Sequence, residues 1–119
     1  MGSALVITTD GVIAELEMPK PGPHLKFMYR AMGCELVEVV ALRPGLDMWL
    51  DEEGMRNDSV NMLATSLARL FGRRRQPYYG TALLAGRRGA DAVGLDEKAV
   101  TRIRWLLGQL TAGLQELDQ

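Results

Sequence analysis

The chain is poor in the residues that staple or arm a small protein. Its 119 residues include a single cysteine, Cys34, and a single histidine, His24. One cysteine cannot close an internal disulfide, which excludes a disulfide-built scaffold and points to a reducing, cytoplasmic setting. One His and one Cys cannot supply a zinc set of the usual spacing, so neither a metal nor another cofactor is expected. Long apolar runs are also missing. None approaches the roughly 18 residues of a membrane span, and the N-terminus has neither the basic start nor the cleavage site of a secretory leader. The expectation is a cytoplasmic protein with no membrane contact. Aromatic residues make up only 6% of the chain, so Trp49, Trp105, Tyr78 and Tyr79 stand out.

What is present suits one globular domain: 47% hydrophobic and 24% charged residues, with a formal net charge of −1. That small net charge hides an uneven distribution. Residues 1–55 carry 4 Lys/Arg against 9 Asp/Glu, residues 56–104 carry 10 against 4, and residues 105–119 carry none against 2. A bipolar chain can meet a charged partner or a copy of itself, and charge of this kind speaks to association rather than to fold.

Met1-Gly2-Ser3 has the composition of an expression remnant and is left out of the fold reading. Residues Ala4 to Thr9 and Val12 to Met18 read as strands joined at Asp10-Gly11, a pair that tolerates φ > 0 and so favours a two-residue hairpin. Val12, Ala14, Leu16 and Met18 then share one face. Pro19, Pro21 and Pro23 end the strand. A short helix follows, with Leu25, Met28, Tyr29 and Met32 at helical spacing and Gly33 at its C-terminal cap. Cys34 to Leu42 reads as a third strand. Leu46 to Asp51 reads as a fourth, with Asp47, Trp49 and Asp51 on one face, and Glu52-Glu53-Gly54 closes it as a turn. A second helix starts near Met62 behind Asn61, a good N-cap residue, and Arg73-Arg74-Arg75 lies at its end, where positive charge suits the helix dipole. Tyr78 to Ala85 reads as a fifth strand, and Gly86 to Gly94 as a polar loop.

Asp96 caps a long last helix. Val100, Ile103, Leu107, Leu110, Leu114 and Leu117 follow one another at spacings of 3, 4, 3, 4 and 3. Such a seam can pack on the domain's own sheet or against a second copy. Gly108 and Gly113 each cost about 1 kcal/mol inside a helix, so this helix depends on packing. The expected class is α+β, a mainly antiparallel sheet of about five strands in the order ββαββαβα. The core spans residues 4–95, and the terminal helix, 96–117, packs on it or dimerises.

The run Asp47-Met48-Trp49-Leu50-Asp51-Glu52-Glu53-Gly54, then Val60-Asn61 with Ala64-Thr65, then Gly80-Thr81-Ala82, resembles domain of unknown function 3846. The opening strand-Asp-Gly-strand unit and Glu38-Val39-Val40 are similar too, and the likeness covers about residues 4–86. The last helix falls outside it, and Arg73-Arg74-Arg75 reads as a local addition. That family is associated with actinobacteria, their phages and plasmids. The resemblance implies a small accessory protein with no established chemistry.

No catalytic pattern emerges. There is no Gly-x-Ser-x-Gly elbow, no P-loop and no Gly-x-Gly-x-x-Gly. Cys34 has only His24 as a potential base, and a structural thiol is the commoner role for such a residue. The carboxylates Asp47, Asp51, Glu52 and Glu53 lack the ligand alternation of a calcium loop. Asn61-x-x-Ala64-Thr65 fits a cap and a close helix–sheet approach better than a site. The leading expectation is therefore a non-catalytic binding or regulatory module with a protein partner, or a homodimer. Its contacts would be Trp49, Arg73, Arg74, Arg75 and Trp105, with Asp47 and Asp51 supplying charge complementarity. A second expectation is nucleic-acid contact by the arginines with Tyr78 and Tyr79 stacking on bases, against which stands a pI near 5.8. A third is an anion or small molecule held at Arg87 and Arg88 in a Gly86-to-Gly89 loop.

Overall fold

The computed structural model describes residues 2–19, 24–73 and 76–117, with the side chain of Leu117 excluded. Pro21, Pro23, Arg74 and Arg75 lie outside the described residues. Among those described, the elements are β1 (Ser3–Ile7), β2 (Ile13–Glu17), α1 (Leu25–Met32), β3 (Val37–Arg43), β4 (Leu46–Asp51), α2 (Gly54–Asn57), α3 (Met62–Leu70), β5 (Ala82–Arg88), β6 (Asp91–Val93) and α4 (Glu97–Leu117). The sheet runs β2-β1-β5-β4-β3 with every pairing antiparallel, and β6 folds back on the far end of β5. The class is α+β, as the sequence pattern predicts.

Alternation along the strands divides the core in two. Leu5, Ile7, Leu46, Met48, Leu50, Ala82 and Leu84 point to one face, where Leu63, Ala64 and Leu67 of α3 and Val100, Ile103 and Leu107 of α4 cover them. Ala4, Val6, Leu83 and Ala85 point to the other, under Met28 and Met32 of α1. Helices thus lie on both faces of one sheet. Among the described residues no further strand pairs with the outer edge of β2 or of β3.

Several expectations need correction. The β1–β2 connection is not a two-residue turn. Thr8 N donates to Val12 O and Gly11 N to Thr8 O, at 2.9 and 3.0 Å, and only Gly11 has positive φ, 86°. This is a three-residue loop that ends in a left-handed glycine, and Asp10 keeps ordinary dihedrals. Ser3 opens β1, and Gly2 O accepts from Met18 N at 3.0 Å. Ser3 exchanges backbone bonds with Leu95 at 2.9 and 2.7 Å, and a Cβ on Gly94 would sit 2.4 Å from the Gly2 Cα. That crossing is open only to residues without side chains. The third strand starts at Val37 rather than Cys34. The turn after β4 leads into the short helix α2, which the sequence reading missed. The segment Gly86 to Gly94 is mostly strand: β5 runs on to Arg88 and turns at Gly89-Ala90 into β6.

Candidate functional site

The residues singled out from sequence separate into those that build the fold and those that face water. Asn61 and Thr65 belong to the first group. Asn61 is fully buried; its Oδ1 accepts from Ala64 N at 3.0 Å, and its Nδ2 donates to Ile7 O and Gly80 O at 3.0 and 2.8 Å. The residue therefore caps α3 and ties it to β1 and to the approach to β5. Thr65 Oγ1 accepts from Tyr78 N at 2.9 Å, and Asn61 N donates to Tyr78 O at 2.7 Å. Tyr78, fixed from both sides, is 7% exposed and packs in the core. It is not available to stack on a base, which removes half of the expected tyrosine pair; Tyr79 is half-buried and bridges to Val60.

Asp47, Trp49 and Asp51 share one face of β4 as expected, but none stands free on it. Asp47 is 1% exposed and accepts from Arg87 Nε at 2.6 Å, so it neutralises a neighbour instead of presenting charge to a partner. Asp51 Oδ1 accepts from Glu53 N at 2.9 Å and closes the turn after β4. Trp49 packs with α1 and Leu83 in the second core. Its Nε1 is buried and has no hydrogen-bond partner among the described residues. The ring forms one wall of a cleft of about 650 Å³ between His24, Leu25 and Met28 on one side and the Ala90–Val93 arm on the other. Trp49, expected as a contact residue, is half-buried: it joins β4 to α1 and lines this cleft.

The anion loop is also corrected. Arg87 is engaged by Asp47 and lies in a paired strand, opposite Ala92, so the segment is a ladder rather than a cradle of free backbone N–H groups. Arg88 and Arg73 are exposed. Arg74 and Arg75 lie outside the described residues, so no triple-arginine surface is defined.

Burial pushes the Cys34 thiol up from its ordinary pKa, and the nearby carboxylates of Asp51 and Asp58 push the same way against a backbone hydrogen bond at Leu36. A shift in this direction disfavours the thiolate, the nucleophilic form. His24 Nε2 lies 2.8 Å from Pro19 O. Among the described residues no three of His, Cys, Asp and Glu converge in a metal-binding group. No helix there is long and apolar enough to cross a membrane.

Of the two tryptophans, Trp105 is the one left in water. It is 63% exposed on α4, where it flanks an open depression of about 810 Å³ shared with Lys98, Thr101 and Arg102. The helix is oriented by its apolar seam: Val100, Ile103 and Leu107 are buried, and Leu110 and Leu114 rest on the same core. Asp96 Oδ1 accepts from Ala99 N at 2.8 Å and starts it. The seam thus packs within the chain, and among the described residues no element covers the opposite face, on which Trp105 lies.

A family model described as Domain of unknown function (DUF3846) matches residues 1–107. The chain belongs to that family. The match extends beyond the residues 4–86 suggested by the quoted motifs and takes in the first half of α4, including Trp105. Searches of curated proteins and of solved structures return no match.

Proposed function

We propose that this DUF3846 member is a non-catalytic protein-binding module of the cytoplasm that meets its partner through the outer face of α4. The exposure of Trp105, at 63%, carries this reading. An indole buries about 150–250 Å² when covered, and apolar area left in water forgoes about 25 cal/mol per Å². Tryptophan and arginine are also the residue types on which interface energy concentrates, and Arg102 lies one turn from Trp105. A regulatory or accessory role on an actinobacterial phage or plasmid belongs to the same proposal, and the gene's neighbours test it.

The experiment is capture from a lysate of the source cell with tagged chain, with and without nuclease, followed by reconstitution from purified components. A protein at near-equal stoichiometry that resists nuclease and is lost in Trp105→Ala supports the reading. Nucleic acid that leaves with nuclease or moderate salt, unaffected by Trp105→Ala, overturns it in favour of an arginine-based nucleic-acid contact.

A further inference from the structure

The outer face of α4 has an order of its own. Arg102, Trp105, Gln109, Ala112 and Glu116 follow at spacings of 3, 4, 3 and 4, repeating the spacing of the buried seam on the opposite side of the helix. All five are exposed. Arg102 and Glu116 are not in an ion pair among the described residues, whereas Arg104, off this line, reaches Glu15 at 3.6 Å. Read in one direction the line runs from cation and indole to small residue and anion. Laid antiparallel on itself about Gln109, it matches: Arg102 meets Glu116, and Trp105 lies over the Ala112–Gly113 pair.

We infer that this face binds a second copy of the chain, α4 against α4 and antiparallel, an inference that rests on the proposed role of the α4 outer face and names its occupant. Two arginine–glutamate pairs at the ends of the strip fix register and direction, because the parallel arrangement sets Arg102 against Arg102 and Glu116 against Glu116. The indole needs a place where the opposing backbone comes close. Beyond its own helix backbone, a Cβ added to Gly113 would meet nothing within 4 Å among the described residues, so the partner's ring can enter this gap. One helix pair covers less than the roughly 800 Å² per partner of a standard interface, so the dimer forms with rising concentration instead of being permanent.

Sedimentation velocity over a concentration series tests this on wild type, Arg102→Glu, Glu116→Arg and the double swap, with circular dichroism confirming that each is folded. The expected result is a monomer–dimer equilibrium weakened about tenfold or more by either single reversal, restored in the double swap, and abolished by Trp105→Ala or Gly113→Leu. A wild type that remains monomeric at every concentration overturns the inference, as does a double swap no tighter than the singles. If the chain remains monomeric while a different purified protein binds and depends on Trp105, the second copy is excluded and the α4 contact surface stands. If neither binds, both fall.

Discussion

Helix α4 presents two faces built on one spacing. The inner line, Val100, Ile103, Leu107, Leu110 and Leu114, is aliphatic and lies on the sheet and α3. The outer line, Arg102, Trp105, Gln109, Ala112 and Glu116, is mixed in chemistry and lies in water. A three-four repeat by itself says only that residues share a helix face; their chemistry and what covers them decide whether that face holds the fold or meets another molecule. Here the aliphatic face is occupied within the chain, and the face left in solvent is the one carrying the indole and the charges of Arg102 and Glu116.

Truncation on the inner line is the severest test of the contrast. Leu107 is fully buried, and Leu107→Ala should lower unfolding free energy by about 2–5 kcal/mol, read by urea denaturation. A loss below about 1 kcal/mol would mean that α4 is not docked as described. The same contrast recurs at the start of α3. Asn61→Ala removes a cap worth about 1 kcal/mol and two further bonds worth about 1 kcal/mol each, so a loss of about 3 kcal/mol is expected. Its neighbour Met62 is 53% exposed, and Met62→Ala should change stability by less than about 0.5 kcal/mol.

On the outer face the sign reverses. Gly113→Ala meets no atom of the described residues beyond its own helix backbone and should raise stability by up to about 1 kcal/mol through helix propensity, seen as a higher denaturation midpoint. Smallest of all, Trp105→Ala should shift stability by no more than about 0.5 kcal/mol while removing the binding partner. If Trp105→Ala unfolded the chain, the indole would belong to the core and the two faces would not differ.

Much of the fold was legible in the sequence. Strand alternation placed Leu46, Met48 and Leu50 opposite Asp47, Trp49 and Asp51, and the aliphatic spacing oriented α4. Gly33 ends α1 with φ of 68°, and Asn61 and Asp96 cap their helices, because these residue types satisfy helix ends locally. What the sequence hid depends on distant partners. Nothing in Gly86-Arg87-Arg88-Gly89 indicates that Arg87 is held by Asp47, 40 positions earlier, or that the stretch pairs with Asp91–Val93. Tyr78 lies in the core with its backbone bonded to Thr65 Oγ1 and Asn61 N, long-range partners that the Tyr78-Tyr79 pair itself does not reveal. The same long-range packing separates the two tryptophans, Trp49 half-buried under α1 and Trp105 in solvent, although both are of the residue type that anchors interfaces.

The most direct test uses Trp105 as its own reporter. In Trp49→Phe it is the only tryptophan, and acrylamide quenching of its fluorescence can be followed from dilute to concentrated chain. The account predicts a readily quenched indole in the dilute monomer that becomes protected, with a blue-shifted emission, as concentration rises. An indole equally quenchable throughout, with unchanged emission, would contradict a second copy on the outer face of α4.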